Sequence, residues 1–236
     1  MKIIVLSITP YKEKDGIIDA ISEKGDISFL AKGIFDPKNK NSALNNNLII
    51  ADIELNEGNY KYSILKSAKI IANPMKLDSD FYYLSCLLLI AEATKQLLQD
   101  EEKIEIFDSL TEAVTALKTA KEPWVITLIY MAKLLKITGY DFEVNQCVFC
   151  GSKNNIVSFS FNDGGFVCQN CANEETERDL SKTQMLLIRS AFNATQYPNK
   201  DVTCDKIEFL AIINKFNEFI YDSFGVKLKS ISLLNK

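Results

Sequence analysis

The chain has 236 residues, 47% of them apolar, and a net charge of −4. That is enough apolar material for one large domain or two small ones. It excludes a globally disordered chain, and the charge by itself gives no support to nucleic-acid binding. The chain contains no histidine, which removes Ser-His-Asp and Cys-His catalysis and the zinc deaminase signature.

Residues 1 to about 75 read as β. Met1 to Ser7 is too short for a signal peptide and runs straight into a strand over Lys2 to Thr9, rich in β-branched residues. A second strand covers Gly16 to Ile21, and the turn Glu23-Lys24-Gly25-Asp26, with Gly25 suited to positive φ, leads into a third over Ile27 to Lys32. Asp36 to Ser42 is a polar loop. Leu48 to Leu55 is a fourth strand, Asn56 to Asn59 turns it back, and Tyr60 to Ile71 is a fifth. Five short strands with long polar loops predict a small closed or partly closed barrel, of the oligonucleotide/oligosaccharide-binding (OB) type; an SH3-like barrel is the alternative.

Asn73-Pro74 breaks this pattern, and a helical period begins near Ser79. Phe81 to Ile90 is apolar on nearly every side and belongs at the centre of a bundle. The apolar run from Leu84 to Ala91 is broken by Ser85 and bounded by Glu92, too short to span a bilayer, so a soluble, cytoplasmic protein is expected. Ile104, Phe107, Leu110, Val114 and Leu117 form one stripe of a second helix, and Pro123 opens a third that Gly139 ends. Ser181 is the expected N-cap of a fourth, and the last long helix runs from Lys206 to Phe224 until Gly225 stops it.

Between the third and fourth helices lie two C-x2-C pairs, Cys147/Cys150 and Cys168/Cys171, separated by seventeen residues. This spacing predicts a tetrahedral four-cysteine zinc site, with Gly151 and Gly164-Gly165 supplying the turns and Ile156 to Phe161 a short strand between. Four thiolates fill the coordination shell, so the zinc is structural rather than catalytic. The alternatives are thiols that merely happen to be buried and two disulfides, the latter disfavoured because nothing points to an oxidising compartment. Cys86 lies in an apolar helical run and is expected to be buried; Cys204 has no evident partner. No phosphate-binding glycine motif is present, and an enzyme is disfavoured.

The predicted fold is therefore α+β and multidomain. A five-stranded OB-fold barrel over residues 1–76 precedes an α-helical domain over 77–236 with a zinc-binding segment at 145–173. The first part holds eleven lysines against nine acids, the second 16 basic and 22 acidic residues. Lys32, Lys38 and Lys40 fall on a strand end and its loop, where such barrels hold nucleic acid, with Lys12 and Lys24 in nearby turns as further candidates. Phe35, Tyr60 and Tyr62 could offer stacking faces, although alternation makes the core an equal destination for each.

The order of parts resembles the RecO family of bacterial recombination mediators, across nearly the whole chain. The Ile4-Val5-Leu6 strand, the Glu23 to Ile27 turn, Ala31-Lys32-Gly33 with its basic loop, the zinc stretch and the closing Gly225-Val226-Lys227-Leu228-Lys229-Ser230 all resemble that family. The resemblance implies binding of single- and double-stranded DNA, annealing of complementary strands, and work with RecR to load the RecA recombinase onto DNA coated by single-stranded-DNA-binding protein (SSB). It also implies docking of the acidic, apolar SSB tail on the helical domain, with Lys133, Lys136 and Arg189 as candidate anchors. A nucleoid-associated cytoplasmic location goes with this. The loop after Lys32-Gly33 departs from the family in lacking arginine and holding Asp36. Lysine gives phosphate a point charge without a bidentate fork, which predicts weaker and more salt-sensitive binding. Two readings compete: a protein–protein adaptor with little DNA affinity, favoured by the negative charge, and a zinc-stabilised enzyme using carboxylates and lysines.

Overall fold

The structure is a computed structural model in which all residues are described except 57–61, 77–78, 121, 175, 199–203 and 236. Five strands come first: β1 (Lys2–Tyr11), β2 (Asp15–Ser22), β3 (Gly25–Ala31), β4 (Ile50–Asn56) and β5 (Ser63–Ala72). They close into a barrel in the order β1-β2-β3-β5-β4, the OB arrangement, with β3 and β5 parallel and the other pairs antiparallel. The expected turn at residues 56–59 and the aromatic Tyr60 lie almost wholly outside the described residues.

The imperfect alternation of β1 has a physical cause. Ile3 and Val5 point into the barrel, while Ile4 and Leu6 point out into a second core shared with the helices. A strand buried on both faces loses its polar alternate positions. Ile21, Leu48 and Ile50 also leave the barrel for that second core. Ion pairs join barrel and helices as well: Lys95 reaches Asp19 and the Ser7 hydroxyl, and Lys103 reaches Asp26 at 2.6 Å.

Among the described residues, six α-helices follow, α1 (Phe81–Leu97), α2 (Asp100–Thr119), α3 (Trp124–Ile137), α4 (Lys182–Asn193), α5 (Lys206–Phe224) and the short α6 (Ile231–Leu234). Their starts are chemically marked. Asp80 accepts from the Tyr83 amide, Gln99 and Glu102 form a capping box, and so do Ser181 and Gln184. Gly225 stops α5 in the left-handed region at φ 67°. Phe209, Ile212, Ile213, Phe216 and Ile220 of α5 all turn inward as expected. One assignment is corrected: Ile104 is 45% exposed, and its neighbour Lys103 takes the buried position at 6%. The ion pair with Asp26 compensates the buried ammonium, a partner on a distant strand that helical period does not reveal.

The strands β6 (Ile156–Ser160) and β7 (Gly165–Cys168) form a hairpin between α3 and α4. Phe159 and Phe161 from this hairpin pack on Phe142, with ring centroids 5.4 Å away in each case, and Phe161 stacks on Phe219 of α5 at 4.9 Å. Among the described residues, no helix is long and apolar enough to cross a membrane.

Candidate metal centre and nucleic-acid interface

The two C-x2-C pairs meet. The Sγ atoms of Cys147, Cys150, Cys168 and Cys171 all lie within 4.8 Å of one another, with those of Cys150 and Cys168 3.6 Å apart. Four sulfurs around a tetrahedral ion with bonds of about 2.3 Å stand about 3.8 Å apart, so the cluster fits one metal ion. The first pair turns because Gly151, at φ 71°, lets its amide donate to the Cys147 carbonyl. The second turns through the Cys171 and Ala172 amides, both donating to the Cys168 carbonyl. Cys147 and Cys168 are buried, whereas Cys150 is exposed and Cys171 half-buried, and Cys168 pairs with Ile156 at the open end of the hairpin, away from its 161–164 turn.

The thiols also have the chemistry of a cation site. Burial works to raise the Cys147 thiol, yet amides of Cys168, Cys150 and Phe149 donate to its sulfur and bring it down to about 6. The Cys171 thiol, hydrogen-bonded to the Cys150 sulfur, is pushed up to about 12. Thiolates this close repel unless a cation neutralises them. The hairpin is pinned to the preceding chain by reciprocal bonds: the Glu143 amide donates to the Gly164 carbonyl, and the Phe166 amide to the Glu143 carbonyl, each at 2.9 Å.

The second candidate surface is the barrel end formed by the β1–β2 turn and the β3–β4 loop. The two segments are tied together. The Phe35 amide donates to the Lys14 carbonyl at 3.1 Å, the Gly33 amide to the Asp15 carboxylate at 2.8 Å, and Lys14 pairs with Asp36 at 3.0 Å. The Asn39 side chain donates to the Lys32 carbonyl at 2.9 Å and folds the loop on itself. Lys12, Lys32, Lys38 and Lys40 are therefore presented, exposed, at one end of the barrel. No ion pair engages any of these four among the described residues. The Lys14 ammonium holds the Asp36 carboxyl below its ordinary range, so the acid in this loop is already matched by a cation.

Lys24 stands apart from this group. It sits in the β2–β3 turn, at the barrel end where Gly25 faces Ile104 of α2. Of the aromatic candidates, Phe35 is partly buried against the barrel core and Tyr62 is half-buried. Sequence reasoning missed Lys14 and the exposed Tyr11; their signal was adjacency to Lys12 in a turn, legible only once that turn met the lysine loop.

The three helical candidates do not converge. Lys133 lies over the Tyr197 ring at 4.4 Å and Lys136 pairs with Asp141 at 3.0 Å. Arg189 donates to the Val144 carbonyl at 2.7 Å and covers the Phe166 ring at 5.4 Å. Arg189 lines a groove of about 220 Å³ together with Lys153, Lys182, Ile156, Met185 and Leu186.

A closed OB barrel, a helical body and a cluster of four cysteines beside a hairpin together define a class of α+β barrel proteins with a site that could hold a metal. The family described as Recombination protein O matches in two parts, its N-terminal part over residues 1–74 and its C-terminal part over residues 78–221. The chain belongs to the RecO family. Proteins named DNA repair protein RecO are similar along the full length. That of Halalkalibacterium halodurans is 24% identical over 236 residues, covering 99% of this chain and 92% of the relative. That of Bacillus subtilis is 25% identical over 239 residues with the same coverage. That of Caldicellulosiruptor bescii is 29% identical over 194 residues, 80% of this chain and 79% of the relative.

Proposed function

We propose that this protein is a DNA repair mediator that binds single- and double-stranded DNA and anneals complementary strands. With RecR, it would help load RecA onto SSB-coated DNA at the nucleoid. The observation that carries the reading is the gathering of Lys12, Lys32, Lys38 and Lys40 on one bonded end of the barrel, in a chain of net charge −4. Lysines at such an end neutralise phosphates, lower the repulsion between two strands and release counterions. No nucleotide cofactor is needed for this. The set of four cysteines suits zinc, because four thiolates in a closed tetrahedral shell match its preference, and the ion then braces the hairpin without touching a substrate. The basic, apolar groove at Lys153, Lys182 and Arg189 suits the acidic, apolar tail of SSB.

The test is annealing of complementary oligonucleotides by zinc-loaded protein over a range of salt. Four phosphate contacts on a single strand give a slope of log affinity on log salt of about −3. The triple variant Lys32→Glu/Lys38→Glu/Lys40→Glu is expected to lose most of the affinity and most of the slope. A wild-type protein that neither binds nor anneals at low salt would leave the adaptor role, which the acidic helical region favours.

A further inference from the structure

We propose that Tyr11 is a stacking platform for an unpaired base, and that this barrel end consequently prefers single strands to duplex. The inference rests on the DNA-binding reading above and specifies which form of DNA the site takes. Tyr11 is the last residue of β1, paired with Asp15 across the β1–β2 turn. It is 41% exposed, so part of its ring faces solvent. Its ring is accompanied by Lys12, whose Nζ lies 5.5 Å from the ring centroid. Lys12 itself takes φ 60°, a conformation that side chains rarely adopt, and it follows Tyr11 directly.

The turn that bears the ring and the loop that bears the lysines are bonded together at one end of the barrel. The amides of Phe35 and Gly33 reach across to Lys14 and Asp15, and Lys14 pairs with Asp36. The turn that bears Tyr11 is thus held against the loop that bears Lys32, Lys38 and Lys40, before any ligand arrives. A nucleotide offers a phosphate and a flat base side by side. Lysine takes the first and an exposed aromatic face the second, a combination that recurs in sequence-neutral binding of single strands. In a duplex the base faces are already stacked on their neighbours, so the ring gains nothing and only the lysines act. Phe35 packs instead against the barrel core, which leaves the stacking role in this turn to Tyr11.

The experiment is fluorescence anisotropy of a labelled single strand and of its duplex, titrated with full-length zinc-loaded wild type, Tyr11→Ala and Tyr11→Phe at two salt concentrations. Tyr11→Ala is expected to weaken single-strand binding by about tenfold. Duplex binding should stay within about twofold, and the salt slope should be unchanged because no charge is lost. Tyr11→Phe keeps the ring and should match wild type on both ligands. Equal weakening on both ligands, an unchanged single-strand affinity, or a Tyr11→Phe defect as large as that of Tyr11→Ala would each overturn the proposal. If wild type binds DNA, such a result leaves the DNA-binding reading intact. If wild type binds neither ligand at low salt, both fall.

Discussion

Gly165 is packed against the main chain of Glu143: a Cβ added to Gly165 would overlap the Glu143 carbonyl and crowd its amide nitrogen. The contact is tight because the two chains pair here, with Glu143 bridged to Gly165 outside the hairpin itself. Backbone at φ 149° adds strain for any other residue. Gly165→Ala is therefore expected to displace the hairpin, at a cost of about 3 kcal/mol or more. Urea denaturation and the metal content of the purified variant check this. A variant with wild-type stability and full metal would show that the chains separate without penalty.

The four cysteines are expected to hold one zinc per chain. Cys147→Ser should abolish stoichiometric metal, whereas Cys86→Ala should keep it, since Cys86 is buried in α1 away from the cluster. Removing the metal with a chelator should loosen the cysteine end of the hairpin while most helical circular dichroism is retained. The hairpin's Phe159 and Phe161 remain anchored among Phe142, Phe192, Phe216 and Phe219. Ligand thiols must lose protons to bind, so metal affinity should fall as pH is lowered. Loss of all helical signal on chelation would contradict the independent anchoring.

Glu92 of α1 fastens the end of the chain. Its carboxylate accepts from the Lys229 amide at 3.0 Å and from the Ser230 amide and hydroxyl at 2.8 and 2.6 Å. Beyond that point Ile231 and Leu234 are buried. Glu92→Ala should cost about 1–3 kcal/mol, because it strands the amide and hydroxyl of the buried Ser230. It should also admit proteases between residues 225 and 235. Glu92→Gln should fall between the two, since its amide presents donors to donors. Unchanged stability and cleavage would show that the apolar contacts suffice.

Asp19 gives the barrel–helix junction an acid limit. Burial works to raise its carboxyl, but bonds from Lys95, Ser28 and Ser7 outweigh it and hold the value below the ordinary one. A depressed folded value means that the contribution is present above the unfolded value, near about pH 3.9, and is lost as the pH falls through the folded value. Asp19→Asn should thus be less stable than wild type at about pH 7, with the gap closing below about pH 4. Thermal melts from neutral to acid pH measure it, and a gap constant with pH would contradict the assignment.

Much of the chain was legible by local rules. β-branched runs, glycine turns, capping residues and two C-x2-C pairs act over a few residues, so strands, helix starts and the cysteine pairing could be read directly. The burial of Lys103 and exposure of Ile104 could not, because the compensating Asp26 lies 77 positions away. Nor could the exposure of Tyr11 or the separation of Lys24 from the other lysines, which depend on which barrel end each turn occupies.

The sequence by itself determined the family, the barrel-then-helices order and the two cysteine pairs that come together, since each rests on spacing along the chain. Only the tertiary structure decided which lysines share a barrel end, which cations line the basic groove and that Tyr11 at that end stays in water. Those outcomes follow from barrel closure and helix packing, which bring distant residues together at energies that no local pattern encodes.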